Sequence, residues 1–177
     1  MVCKDFNFKP PQEWTKHLTT LTNNEINYEY VKTQVDIDNF IIYNVIQIYG
    51  DNQDWPGNNI KYWKSDGGKW RWILYDTDFS FSGQWWTWDV NNHYLINTLN
   101  FVLSGSQTNW ASAPWATFML RSLIKNTEFR HKFVNRYADE INTRFLASDV
   151  VQHFNDIYDK IIDEVPGHLQ RWNSNGY

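Results

Sequence analysis

One stretch constrains the fold of this chain more than any other: the run from Asp51 to Gly83, DNQDWPGNNIKYWKSDGGKWRWILYDTDFSFSG. Asp54-Trp55-Pro56-Gly57-Asn58-Asn59 reads as a tight turn crowded with oxygen-bearing side chains. Ile60–Lys64 and Lys69–Tyr75 are dense in aromatic and β-branched residues and read as two strands. The Ser65-Asp66-Gly67-Gly68 break between them is a hairpin turn signal. The second strand runs into Asp76-Thr77-Asp78. A hairpin of this size brings its two ends together, so Asp54, Asn58, Asn59, Asp76 and Asp78 are expected to converge on one hard cation. Mg²⁺ favours a few carboxylates plus substrate phosphate oxygens over an all-protein cage. Asp76 follows an apolar run, so partial burial is expected, and a buried carboxylate needs a metal or cationic partner. Asp78 is the secondary candidate, because only one of the pair need face the ion. The simpler reading stays open for each residue. Asp54 would bond backbone amides ahead of Pro56, Asn59 would cap the hairpin, and Asp76 would sit solvated at a strand end.

The spacing sharpens this. Asp54 and Asn59 stand five positions apart, as do the acid and the amide of the protein-kinase catalytic loop. There the Asp accepts the substrate hydroxyl proton and the Asn holds a Mg²⁺ ion. A second acid at the end of a later strand, followed by Phe79, stands where kinases keep their other metal ligand. No His-Arg precedes Asp54, and Ser80 follows Phe79 where the kinase motif has Gly.

At these residues the chain resembles the CotH-type spore-coat proteins, a family of atypical secreted protein kinases. The aspartate-rich helix start appears as Val35-Asp36-Ile37-Asp38-Asn39-Phe40, and the central motif as Asn52-Gln53-Asp54-Trp55-Pro56-Gly57-Asn58-Asn59. The strand motif is Lys69-Trp70-Arg71-Trp72-Ile73-Leu74-Tyr75-Asp76-Thr77-Asp78-Phe79. Leu123–Arg130, Asn135-Arg136-Tyr137-Ala138 and Arg171-Trp172 extend the likeness over most of residues 30–172. Ser80 and Ser82 depart from it, since the family often has Gly after the second acid. The resemblance implies ATP and Mg²⁺ or Mn²⁺ as cofactors, with a Ser or Thr hydroxyl of a surface or coat protein as acceptor. It casts Asp54 as the catalytic residue, Asn59, Asp76 and Asp78 as metal ligands, and Asn58 as a cofactor contact. It further implies an extracellular or cell-surface location. Residues 1–177 are expected to be a single domain, the C-terminal portion of a CotH kinase-like domain whose nucleotide-gripping lobe precedes it.

Length and composition set the bounds. A chain of 177 residues is one domain by length and can bury about 70% of its unfolded surface. The net charge of −4, without Lys/Arg runs, excludes a field that gathers nucleic acid. No run approaches the roughly 20 apolar residues of a membrane span. Met1-Val2-Cys3-Lys4-Asp5 is too polar for a signal peptide, and the lone Cys3 forms no internal disulfide. Phe, Trp and Tyr make up 32 residues (11, 11 and 10), which predicts a core and a groove built from large rings.

Periodicity predicts an α+β fold, mostly helical, with one central hairpin, resembling the larger lobe of a protein kinase. Residues 1–11 read as irregular, and Gln12–Leu21 and Asn27–Thr33 as short helices. From Asp36 to Tyr49 the apolar residues Ile37, Phe40, Ile41, Val45 and Ile48 share one helical face, with Asp36 and Asp38 at its amino terminus. Gln84–Val90 is Trp-rich and ambiguous; Leu95, Leu99, Val102 and Leu103 predict a helical turn or two. A helix from Ser112-Ala113-Pro114 to near Lys125 is expected to turn Trp115, Phe118, Met119 and Leu123 inward. Thr127 is expected to cap the next, carrying Phe129, Phe133, Tyr137, Ile141 and Phe145. Ser148 is expected to cap the last, with Val150, Phe154, Ile157, Tyr158, Ile161 and Val165 as its stripe and Pro166-Gly167 bending or ending it.

Other chemistries fail on counting. An EF-hand at Asp76-x-Asp78-x-Ser80 needs Gly sixth and Glu twelfth, where the chain has Phe81 and Thr87. His17, His93, His131, His153 and His168 are scattered, and neither a Gly-x-Ser-x-Gly elbow nor a Gly-rich phosphate loop occurs. Three readings remain: the catalytic lobe of an atypical kinase, a non-catalytic surface or coat protein of kinase-like fold, and a carbohydrate-binding module using Trp85, Trp86 and Trp88. Adjacent strand residues such as Trp85 and Trp86 face opposite ways, which weakens the third. If the nucleotide lobe lies elsewhere, apolar surface around the hairpin is expected to be exposed and to favour self-association.

Overall fold

The computed structural model describes residues 2–4, 25–81, 95–104 and 114–172. The expected helix over 12–21, the Trp-rich segment 84–90 and Ser112-Ala113 lie outside the described residues. The fold is mostly helical with one small antiparallel sheet, and it divides into two units, Met1–Arg136 and Tyr137–Tyr177.

In the first unit, helix α1 (Glu25–Gln34) leads directly into α2 (Ile37–Tyr49). Asp36 separates them in an extended conformation and accepts the Asn39 N–H on Oδ1 at 3.1 Å, which caps α2. Asp38 stands in the first turn, where it meets Lys132 Nζ at 2.9 Å. Ile37, Phe40, Ile41, Val45 and Ile48 are all buried, as their spacing predicts. The hairpin forms as β2 (Lys61–Lys64) and β3 (Arg71–Ile73), antiparallel, with Tyr62 opposite Trp72. Gly67 turns the corner at φ +70°, a backbone conformation in which a Cβ is strained.

The sheet has a third strand that the sequence did not announce. Residues 1–11 read as irregular, yet β1 (Val2–Lys4) pairs antiparallel with β2, Cys3 opposite Trp63, and makes β2 the centre of three. Three residues are too few to show a period of two, so pairing with a strand some sixty positions on had no local signature. The start of β3 is clamped by the α1–α2 junction. Trp70 N–H donates to Gln34 O (2.8 Å) and Asp36 N–H to Trp70 O (3.0 Å). Trp72 turns into the core while Arg71 turns out and meets Asp36 Oδ2 at 3.2 Å.

Helices α3 (Thr98–Ser104), α4 (Pro114–Leu123) and most of α5 (Thr127–Ile141) complete this unit. Its core is a cluster of rings. Phe40 meets Trp72 at 4.7 Å between centroids, Tyr28 meets Phe129 edge-on at 6.2 Å, and Phe129 stacks on Phe133 at 6.2 Å. Each such pair adds about 0.5–1.5 kcal/mol beyond area burial. Several details differ from expectation. Trp115, expected inward, is 43% exposed. It lies five positions from Leu120, about 140° round the helix, while the inward face follows Thr117, Leu120 and Leu123. Leu95 and Leu99 are likewise exposed, and Val102 alone of that group is buried. The cap of α5 is Asn126, not Thr127: buried Asn126 accepts the Phe129 N–H at 3.0 Å.

The second unit carries the end of α5, then α6 (Ala147–Ile161), a 3₁₀ turn (Ile162–Glu164) and α7 (Val165–Trp172). Helix α5 stops before Phe145, whose N–H closes on Glu140 O at 2.8 Å. Ser148 is not the cap of α6: Leu146 precedes the helix without a side-chain cap, and Ser148 bonds Asp149 Oδ1. Pro166-Gly167 does not end the helix either. The break falls earlier, at Ile162, and Pro166 sits in the first turn of α7, where a missing N–H costs nothing. No residue of α6 is buried. Phe154, Ile157, Tyr158 and Ile161 of the expected stripe are each at least half exposed.

Candidate active site

The turn after α2 is built from backbone conformations that few residues adopt. Asp51 (φ +50°), Asn59 (+57°), Asp76 (+53°) and Phe81 (+51°) occupy the left-handed region. Asp and Asn tolerate that region better than other non-glycine residues, whereas Phe81 does so at a cost of about 1–2 kcal/mol. All four flank the two ends of the hairpin. Such concentrated strain persists only where surrounding bonds over-determine it, and here they do.

The two ends are stitched together by backbone bonds. Gln53 N–H donates to Phe79 O at 3.2 Å and Phe81 N–H to Gly50 O at 2.7 Å, while Ser80 N–H closes a local turn on Thr77 O at 3.0 Å. Gly50 permits the approach, since a Cβ there would meet Ser80 Oγ at 3.2 Å and Ile46 O at 3.3 Å. Phe81 also lays its ring edge-on against Tyr49 at 5.8 Å. The expected convergence of the hairpin's ends is therefore real at the backbone. Asp54 and Asp78 each neighbour a residue of the Gln53–Phe79 bond, which holds their Cα atoms within roughly 14 Å.

The side chains divide. Asp54 is buried, 7% exposed, and its Oδ2 accepts from Asn58 Nδ2 at 2.9 Å and from Asn59 Nδ2 at 2.6 Å. Asn58 N–H also donates to the Asp54 carbonyl at 3.0 Å. Asp54, Asn58 and Asn59 are thus one hydrogen-bonded group. The backbone-amide reading of the Asp54 carboxylate is replaced by side-chain amides. Asp76 and Asp78 are both exposed, so the burial expected for Asp76 does not hold. Its left-handed backbone turns the chain away from the strand direction before the apolar run can cover it. No side-chain bond joins Asp76 or Asp78 to Asp54 among the described residues.

Residues that carried no role in the sequence brace this group from beneath. Asn52 is completely buried; its Oδ1 accepts the Asp54 N–H at 3.1 Å and its Nδ2 donates to Gln47 Oε1 at 2.8 Å. Gln47 is equally buried in α2; its Nε2 and the Tyr43 hydroxyl meet no well-aligned hydrogen-bond partner, although the Gln47 and Trp55 side chains lie beside that hydroxyl. Burial pushes the Tyr43 phenol well above its usual range. On the other side Asp51 Oδ1 accepts from Thr98 Oγ1 and from Gln53 Nε2, which ties α3 to the turn. The usable sequence signal was Asn44 and Gln47, amides three apart in the otherwise ring-bearing and aliphatic run Phe40–Tyr49, since such polar residues are buried only when bonded.

The residue types are ones a hard cation takes: one carboxylate, two amide side chains whose nitrogens face it, and, at the other end of the hairpin, two exposed carboxylates. Among the described residues no group of three or more His, Cys, Asp or Glu gathers as a metal cage. A cation here would have to complete its shell with amide oxygens, water and substrate phosphate, as Mg²⁺ commonly does. A family model described as CotH kinase protein matches residues 9–176. None of the curated proteins and none of the solved structures compared with the chain matches it.

Proposed function

Because the chain belongs to the CotH kinase protein family, we propose that it carries the acceptor and metal-binding face of an atypical protein kinase. Its reaction moves the γ-phosphoryl group of ATP to a Ser or Thr hydroxyl of an extracellular surface or coat protein. One observation carries the reading: a buried carboxylate whose Oδ2 is fixed by the amides four and five residues on, at the spacing of a kinase catalytic loop. Asp54 Oδ1 accepts no hydrogen bond among the described residues, and it is the atom that receives the acceptor's proton. The hydroxyl oxygen then forms its bond to the γ-phosphorus, the β–γ bridging bond breaks, and ADP leaves with the electron pair. Bound Mg²⁺ or Mn²⁺ neutralises charge on the phosphate oxygens. Asn59, with Asp76 and Asp78, would hold it, and Asn58 lies beside the nucleotide. Asn58 and Asn59 also keep the Asp54 carboxylate from rotating, which is the positioning on which phosphoryl transfer depends.

The grip on the nucleotide is proposed to come from residues outside these 177. Alone, the chain then binds ATP weakly and transfers phosphate negligibly. The alternative, a non-catalytic kinase-like coat protein, draws on the exposure of Asp76 and Asp78, which no described side chain fixes. Exposed Leu74 and Phe81 beside the hairpin supply apolar surface for self-association. The test is transfer from radiolabelled ATP by the chain alone and by the chain joined to its nucleotide lobe, with and without Asp76→Asn. Activity in the joined form that Asp76→Asn abolishes without unfolding supports the kinase. A joined form that is folded and inert favours the coat protein, and full activity in an Asp76→Asn variant overturns the assignment.

A further inference from the structure

Two residues before Asp54, where kinases place an ionisable His, this chain has Asn52. No part of its surface is exposed, and both ends of its carboxamide are used. The oxygen takes the N–H of Asp54 (3.1 Å), the nitrogen gives to Gln47 Oε1 (2.8 Å), and Asn52's own N–H goes to the Gln47 carbonyl (3.2 Å). Among the described residues Asn52 hydrogen-bonds to neither of the amides that grip the Asp54 carboxylate. It holds the peptide on which that carboxylate stands, and it anchors this peptide to α2. We infer that Asn52 is a positioning residue for Asp54, setting the carboxylate's direction toward Asn58 and Asn59 from inside the fold, through a chain of neutral amides from Gln47. This rests on the proposed role of Asp54, but the geometry it asserts is separable from that role.

The chemistry of the bond makes the inference specific. Asn52 must present one acceptor to Asp54 and one donor to Gln47. A protonated Asp does the same, with its carbonyl as the acceptor and its O–H as the donor. An ionised Asp has two acceptors and no donor, and sets a charge in a site that excludes water. Burial raises the pKa of such a group. Asn52→Asp therefore behaves like the parent at low pH and, as pH rises through its raised pKa, keeps the acceptor for the Asp54 N–H but loses the donor to Gln47. The parent relay contains nothing that titrates in that interval. Were Gln47 to rotate and offer its Nε2, the bond between the two side chains would survive ionisation, so Asn52→Asp is read at low pH, and Gln47→Leu removes the anchor itself at every pH.

The experiment follows the side-chain Nδ2 resonances of Asn58 and Asn59 by NMR in the 177-residue chain, from pH 5 to 9. In the parent both carry the shift that bonding to the Asp54 carboxylate gives. Asn52→Asp should match the parent at pH 5, whereas Asn52→Leu, which removes the whole brace, and Gln47→Leu, which removes its anchor, should lack that shift throughout. In the form that carries the nucleotide lobe, Asn52→Leu should lower kcat at least 10-fold and leave KM for ATP within twofold. If both leucine variants keep the shifted Asn59 resonance and merely melt earlier, Asn52 is an ordinary core residue and the inference is wrong. If Asn52→Leu fails to fold, Gln47→Leu alone decides by the same readout. An inactive parent in which Gln47→Leu still removes the Asn59 shift would sink the kinase reading and leave the positioning role standing.

Discussion

The two ends of the hairpin carry the same chemistry and opposite construction. At the first, Asp54 is buried and its carboxylate is held by two amides that stand on a second, deeper layer, Asn52 and Gln47. At the other, Asp76 and Asp78 are exposed and only the backbone is secured, through Phe79 and Phe81. On the proposed reading, the difference divides the work of a site between fold and ligand. A proton acceptor at Asp54 would be aimed before substrate arrives, its cost met by folding. Metal ligands at Asp76 and Asp78 would need only to be near, because a cation gathers oxygens when phosphate brings it.

That comparison is broken or sharpened by five expected outcomes. The largest is at the fixed end: Asp54→Asn should lower phosphate transfer about 10²–10⁴-fold, the usual worth of a positioned base, read as kcat with radiolabelled ATP. Next, Phe129→Ala should cost about 3–5 kcal/mol in urea unfolding, because a fully buried ring is removed from the cluster that carries α2 and β3. Third, alkaline pH should unfold the first unit. Burial raises the phenols of Tyr43 and Tyr28 above the unfolded value near 10. Their neutral forms therefore favour the folded state; that stability is complete below pH 10 and is lost as pH climbs beyond it. For Tyr43 the slope is about 1.4 kcal/mol per pH unit, measurable by urea titration at successive pH values. Fourth, Asn126→Ala should cost about 1 kcal/mol as a lost helix cap, while Thr127→Ala stays within about 0.5 kcal/mol. Smallest is Phe154→Ala on α6, 55% exposed. It should change monomer stability by less than about 1 kcal/mol, and a much larger loss would mean that the helix face is covered in solution.

Much of this was legible in the chain. The hairpin, the α2 stripe and the Asp36 cap were written in local pattern, and each formed where the spacing put it. So was the grouping of Asp54 with Asn58 and Asn59, because four- and five-residue offsets in a tight turn leave few other arrangements. What escaped depended on partners far away in sequence. Strand β1 needs β2 to exist as a strand at all. The inward face of α4 was misread because Trp115 outweighs its neighbours in hydrophobicity, yet facing residues are chosen by angle. Asp76 looked buried because it follows Trp72-Ile73-Leu74-Tyr75; a left-handed turn at one residue undid that. Helix α6 shows the reverse error, since a clean apolar stripe gives the period of a helix but not what, if anything, lies against it.

Both ends of the hairpin are proposed to serve one cation, one end pre-set and the other recruited. Titrating Mn²⁺ with an ATP analogue into the isotopically labelled chain tests it directly, through paramagnetic broadening of side-chain resonances. The account predicts that Asn59 Nδ2 and the carboxyl carbons of Asp76 and Asp78 broaden together at one Mn²⁺ concentration, with Asn52 and Gln47 broadened less. Broadening of the two exposed carboxylates with Asn59 left sharp would contradict it, and would separate the acids of the hairpin into two unrelated sites.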